Sequence, residues 1–245
     1  MKKTISILTL VVLTVVSCKS EKKRNTDADS GATKWVDSLI YPEETHFKSI
    51  KQLTFGGDNA EAYWSFDDEQ IIFQSNNTNW DVECDQMFLM NRDEVWKDSI
   101  PPMVSTGMGR TTCAYFLPDN KHFVYGSTHL GGDECPPAPL RREGKYVWPI
   151  YESYDIFVAD LEGNITAQLT TEPGYDAEAT VSPKGDKIVF TSMRTGDLEL
   201  FTMNIDGSDV KQITNELGYD GGAFFSPDGT KLIFRSSRPK TEAEI

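Results

Sequence analysis

GAFFSPDGTKLIFRS, residues Gly222–Ser236, sets an apolar run, a Ser-Pro-Asp-Gly turn and a second apolar run in one fifteen-residue unit. Asp-Gly between two such runs signals a β-hairpin, because glycine accepts the positive φ that the turn demands. Proline just before it cannot serve a sheet ladder and so closes the first strand. Three other stretches align with this one without a gap: Glu61–Ser75 (EAYWSFDDEQIIFQS), Cys113–Ser127 (CAYFLPDNKHFVYGS) and Glu178–Ser192 (EATVSPKGDKIVFTS). Down the columns stand Ala62, Ala114, Ala179 and Ala223, then Phe73, Tyr125, Phe190 and Phe234, and every copy ends in serine. Repeats of this kind are stacked supersecondary units that cannot bury their apolar faces alone, so function is sought between units.

In two units the pattern runs on. Leu198–Ile205 and Asp155–Leu161 read as third strands, and Gln168–Thr170 and Gln212–Thr214 as fourth strands. No segment of the repeats keeps a 3.6-residue apolar period, which leaves helices out. Four short antiparallel strands per unit predict an all-β fold, a β-propeller of four-stranded blades over residues 52–245.

The N-terminus has its own pattern. Lys2 and Lys3 precede an apolar run from Ile5 to Val16, then Val-Val-Ser-Cys at 15–18. The run is too short for a permanent span and reads as a secretory signal over residues 1–17. The small residue before Cys18 matches a bacterial lipoprotein cleavage box, which predicts acylation of Cys18 and a membrane anchor. Residues 18–34 are polar and mixed in charge, as in a flexible tether. Residues 35–51 form a leader with at most a helical turn before Pro42.

The formal net charge is −14, and it becomes two units more negative when Lys2 and Lys3 leave with the signal. That balance excludes a nucleic-acid partner, which needs clustered basic residues to displace counterions. Three cysteines remain after Cys18: Cys84, Cys113 and Cys135. In a propeller all three fall on one face, so Cys113 is expected to pair with either Cys135 or Cys84.

The Ser-Pro-Asp-Gly turn, Lys-Leu-Ile-Phe, then Leu-Phe-Thr-Met-Asn-Ile-Asp-Gly-Ser and Gln-Ile-Thr resemble the WD40-like, or PD40, repeats of TolB-type β-propellers. The resemblance runs from about Gln52 to Pro239. It implies a periplasmic or envelope setting, with an envelope protein or peptide as partner. Lys19-Ser20 after the acylated cysteine points to the outer membrane. TolB-type rings usually close with six blades, whereas this chain offers about three and a half. The 245 residues are therefore expected to be a fragment, with Gln52–Thr54 as the outer strand that staples the ring against the last blade. The same blades also serve as substrate-gating domains of prolyl-oligopeptidase-like peptidases, the alternative function, with the catalytic domain downstream.

Two candidate sites stand out. Residues 128–137 (THLGGDECPP) put His129, Asp133 and Glu134 on one loop, a candidate binding loop. Asp58, Glu61, Asp176, Glu178 and Asp220 stand where first strands begin, a candidate acidic ring around the central channel that suits calcium or a cationic peptide terminus. No cofactor and no catalytic residue is expected: the Gly-x-Ser-x-Gly elbow is missing, and no histidine has a partner at triad or metal spacing.

Overall fold

The computed structural model describes residues 40–138 and 147–244. Cys18, with the signal and the tether, lies outside them. The chain divides into a leader unit, residues 1–51, and a repeat unit, residues 52–245. The described leader residues hold a turn in which the Glu44 N–H donates to the Tyr41 carbonyl at 2.9 Å.

The repeat unit is all-β. Strands β1 (Asp58–Trp64), β2 (Gln70–Asn76) and β3 (Gln86–Asn91) make the first blade, in the order β1-β2-β3. Its fourth position is taken by Pro102–Val104, through a bridge from Met103 to Phe88. The second blade is β4 (Thr111–Phe116), β5 (His122–Ser127), β6 (Asp155–Asp160) and β7 (Ile165–Gln168). The third is β8 (Asp176–Val181), β9 (Lys187–Ser192), β10 (Glu199–Asn204) and β11 (Lys211–Gln212). The fourth holds β12 (Asp220–Phe225) and β13 (Leu232–Ser236). All neighbouring strands within these sheets are antiparallel.

Turn chemistry explains the hairpins. Ser226 donates through Oγ to Asp228 at 2.6 Å, and the Gly229 N–H closes the turn on the Ser226 carbonyl at 2.8 Å. Ser65 with Asp67 repeats the arrangement at 2.6 Å, and in the third blade, where Lys184 takes the aspartate's place, Ser182 reaches Asp186 beyond the turn at 2.7 Å. These bonds favour the ionised aspartate, and Asp228 is drawn down to about 2, first by Ser226 and then by Thr230. In the second blade, where Leu117 replaces serine, Asp119 caps Lys121 and His122 instead.

Adjacent blades bury their apolar faces against one another. Ile72 and Met87 of the first blade pack with Phe116, Phe123, Tyr125 and Phe157 of the second. Val124, Ile156 and Val158 of the second meet Ile188, Phe190, Phe201 and Met203 of the third. Val189 and Leu200 of the third meet Ala223, Phe225 and Leu232 of the fourth. The alanine column is small because a neighbouring sheet lies over it: Ala114, Ala179 and Ala223 are buried, while Ala62 is exposed on the first blade.

The expected stapling segment, Gln52–Thr54, lies against the first blade. Thr54 bridges to Trp96 in parallel, and the Trp96 N–H donates to the Leu53 carbonyl at 2.8 Å. Leu53 and Trp96 pack on Ile71, Phe73, Trp80 and Phe88. The segment thus covers the outward face of the first blade, where it reaches apolar surface at once, and pairs with neither described strand of the fourth blade.

Burial sets the expected cost of mutation. Phe190 is fully buried and Ile233 is 73% exposed, although they sit in neighbouring apolar columns of the repeat. In urea denaturation, Phe190→Ala lowers stability by about 3–5 kcal/mol, whereas Ile233→Ala changes it by less than about 1 kcal/mol.

Candidate functional site: the channel lining

The innermost strand of every blade carries the same irregularity. Register slips between Ala60 and Tyr63, Thr112 and Tyr115, Ala177 and Thr180, and Gly221 and Phe224. At each slip the first residue of the repeat is left-handed: Glu61 at φ 48°, Cys113 at 50°, Glu178 at 57° and Gly222 at 58°. Glycine takes this conformation freely, while each of the other three pays on the order of 1 kcal/mol or more. A bulge of this type adds one residue and re-aims its side chain.

The bulges turn these residues toward the middle of the arc. Glu61, Cys113 and Glu178 line a cavity of about 460 Å³ together with Tyr63, Thr180, Phe224 and Arg235. A second cavity of about 270 Å³ shares Glu61, Cys113, Glu178 and Arg235, and adds Asp85, Arg110, Trp148 and Tyr151. The four shared side chains form the collar between the two cavities. Below it, Tyr63 stacks with Tyr115 at 5.3 Å and with Phe224 at 5.8 Å, so inner strands of the first and fourth blades touch.

The two collar carboxylates differ. Glu61 is exposed and accepts the Tyr63 hydroxyl at 2.5 Å. Burial and then that bond push the Tyr63 hydroxyl far above its usual range. Glu178 is buried and accepts from Thr191 Oγ1 at 2.7 Å, from the Tyr219 hydroxyl at 2.9 and 3.0 Å, and from the Gly222 N–H at 3.0 Å. Arg235 approaches it to 3.6 Å. Glu178 therefore ties the third blade to the bulge of the fourth. Gln74 does the same for the second bulge, its Oε1 accepting the Cys113 N–H and the Thr112 hydroxyl at 3.2 Å each.

The expected acidic ring is thus divided. Asp176 and Asp220 are 1% and 0% exposed and turn away from the channel. Arg194 holds Asp176 at 2.9 Å, and Arg238 holds Asp220 at 2.7 and 2.8 Å. Burial still raises the Asp176 carboxyl above its ordinary value, against Ser192 and Arg194. Asp58 is exposed at the start of β1 and lines neither cavity. Two collar carboxylates, one already saturated by donors, fall short of the six to eight oxygens of a calcium shell. Among the described residues no cluster of three metal-ligating side chains occurs.

The loop of residues 128–137 also divides. His129 is buried in a 3-10 turn, its Nδ1 2.9 Å from Ser127 Oγ and its ring 4.5 Å from that of Phe157. Burial lowers its pKa, which keeps the ring neutral. Asp133 and Glu134 remain exposed, with the Asp133 carbonyl accepting the Gly109 N–H at 2.9 Å. His129 therefore supports the second blade and does not share a binding surface with the two acids.

Cysteine pairing differs from both expected alternatives. Cys84 bonds to Cys135, with Cα atoms 5.9 Å apart, and Cys113 is free. The reason is the bulge, which swings Cys113 into the channel, while Cys84 and Cys135 lie in the loops after β2 and β5. Burial, with Glu61 and Glu178 nearby, pushes the Cys113 thiol far above its usual range.

Trp148 and Tyr151, from the long insertion between β5 and β6, line the upper cavity. Trp148 meets Tyr219 edge-on at 5.5 Å, and Arg235 lies 5.7 Å from the Trp148 ring centre and 5.6 Å from that of Tyr219. This aromatic roof was not singled out in the sequence, where the insertion carried only its acids and histidine as signals.

Residues 150–240 match the PD40 family model, the TolB beta propeller domain. None of the curated proteins compared matches the chain in sequence. Among solved structures, a protein described as a TolB from Agrobacterium tumefaciens superposes with a TM-score of 0.58 at 20% identity, over 80% of this chain and 61% of its own. TolB from Acinetobacter baumannii gives 0.50 at 19% identity, over 76% of this chain and 39% of its own. A chain of a Nidogen/Laminin complex gives 0.51 at 11% identity, over 71% of this chain and 55% of its own. The chain thus spans less than two thirds of each of these proteins.

The pairing has a direct check. Unreduced, denatured protein beginning after Cys18 should release one thiol equivalent to a disulfide reagent, and reduced protein three. Two equivalents from a Cys113→Ser variant before reduction would refute the Cys84–Cys135 bond. Residues 150–240 thus carry repeats of the TolB beta propeller family, and the repeat unit has the β-propeller fold of these structures.

Proposed function

We propose that the chain is an exported, lipid-anchored protein of the bacterial envelope whose propeller channel holds a protein or peptide partner and catalyses no reaction. The observation that carries this reading is the collar. Four successive inner strands spend a bulge apiece to aim the same repeat position at one channel. Three of them do so with a residue other than glycine, at a conformational cost on the order of 1 kcal/mol or more each. Stacked tyrosines and phenylalanine supply apolar contact, while Glu61 and Arg235 supply charge of both signs. That mixture suits an extended peptide with polar and apolar side chains, since rigid frameworks carry recognition on the groups they project. Tol-type repeats and the Val-Val-Ser-Cys box support an envelope setting, with Cys18 acylated and the protein on the outer membrane.

Two experiments test the proposal. A photoreactive residue in place of Thr180 is expected to crosslink an envelope polypeptide that the same residue in place of Lys121 does not reach. Glu61→Arg should lower that yield about tenfold without shifting the melting temperature. Equal yields from both positions would remove the channel from the function. Separately, radiolabelled palmitate should enter the wild-type protein and not Cys18→Ala. A labelled Cys18→Ala variant would refute anchoring at this residue.

A further inference from the structure

In the second blade a histidine stands where later blades carry an arginine. Two residues after the closing serine come Arg194 in the third blade, Arg238 in the fourth and His129 in the second. Opposite that serine, on the inner strand, stand Asp176 and Asp220, but Thr111 in the second blade. The histidine takes the arginine's place in space as well. Arg194 Nε donates to Ser192 Oγ at 2.8 Å, and the guanidinium lies 5.1 Å from the Phe201 ring centre. His129 Nδ1 is 2.9 Å from Ser127 Oγ, and its ring lies 4.5 Å from that of Phe157. Phe157 and Phe201 hold the same register position on their third strands. Charge is what differs. Arg194 has the Asp176 carboxylate at 2.9 Å, whereas no carboxylate among the described residues pairs with His129.

The elements around this imidazole offer a cation no compensation. On β4, Thr111 donates its hydroxyl to the Asp85 carbonyl at 3.0 Å. Before β4, Arg110 donates its backbone N–H to Thr128 Oγ1, and Asp85 holds its guanidinium. On β6, Asp155 faces Ser127 but accepts from Gln168 and Thr170. Cys135 is tied to Cys84. The other acids near in sequence, Asp133 and Glu134 on the same loop and Glu152 on the insertion, are exposed. Between His129 and the loop acids lie two glycines. Gly132 has φ 150° and open space about it, so the loop can turn there. Gly131 lies against Ser153, next to Tyr154 in the wall of the upper cavity.

We propose that residues 128–137 form a pH-operated latch. The neutral His129 ring closes the latch on Phe157, and protonation releases the ring toward Asp133 and Glu134. An imidazole that gains a proton against an aromatic face needs a carboxylate or water, and the acid of the repeat is replaced by Thr111. Burial holds the His129 pKa below its ordinary value, so the closed latch binds fewer protons than the open one. Closure is therefore at full strength above about pH 6.5 and weakens as the pH falls below that value. The seam at Arg194 carries its own carboxylate and has no histidine to titrate. Opening moves Gly131 off Ser153 and reaches the upper cavity through Tyr154.

The test follows the histidine ring protons by NMR, in the chain beginning at Cys18, from about pH 8 to about pH 5. The His129 signal is the one that His129→Gln removes. It should titrate below about pH 6.5 in the wild type and above that value in Thr111→Asp, which restores the acid of the repeat. Hydrogen exchange reads the latch itself. The Gly131 and Gly132 N–H groups close the turn on the Thr128 and His129 carbonyls at 2.8 and 3.3 Å. Their protection factors should fall at least about tenfold over that range in the wild type, and stay level in His129→Gln. Four results would overturn the proposal: a wild-type His129 that titrates at or above about pH 6.5, protection that acid leaves unchanged, the same loss in His129→Gln, or no rise in the His129 pKa in Thr111→Asp.

Discussion

A blade of this fold has apolar side chains on both faces and can hide neither by itself. Every other feature follows from that constraint. Phenylalanine and tyrosine stand in one column because an adjacent sheet must be filled, and alanine in another because it must be approached closely. Where a neighbour is present the columns are fully buried, as at Val124 and Phe190. Where it is not, the same residue types are exposed, as at Ala62 and Ile233. Polar ties then fix how neighbouring blades sit. Gln74 reaches from the first blade to the second bulge, and Glu178 from the third to the fourth.

The bulges connect this packing to recognition. Without the extra residue, the strict alternation of a strand would place Glu61, Cys113 and Glu178 elsewhere, with no channel collar. The slip frees one position per blade from the alternation and gives it to the channel. Ala62, Ala114, Ala179 and Ala223 follow directly after, back on the interblade face. One backbone irregularity thus separates the residues that hold the arc together from those available to a ligand.

Much of the architecture was legible in the sequence because it rests on short-range chemistry. Ser-Pro-Asp-Gly specifies its own turn, and the aromatic and alanine columns specify a face. The left-handed bulge was not legible, since Glu61, Cys113 and Glu178 give no local sign of positive φ. Gly222 in the same column was the one hint. Missing the bulge misplaced Cys113, and with it the disulfide. It also made one ring of five acids that the structure sorts into collar, solvent and buried ion pair. The arginine partners did leave a trace: Arg194 and Arg238 each follow their aspartate by eighteen residues. His129 read as a ligand residue because it stood among acids. The 3-10 turn that drives it onto Phe157 appears only once β5 and β6 are in place.

The Cys84–Cys135 bond crosses from the loop after β2 to the loop after β5 and spans 51 residues. In the chain-entropy account, a loop of that length restrains the unfolded chain by about 4 kcal/mol. Only the seam between the first two blades receives that covalent tie, while the seam between the third and fourth relies on Glu178 and a smaller apolar cluster. The arc is therefore mechanically graded, stiff at its N-terminal end and compliant toward β13. A reducing compartment would remove that tie and leave the first seam, like the others, to packing and polar contacts alone.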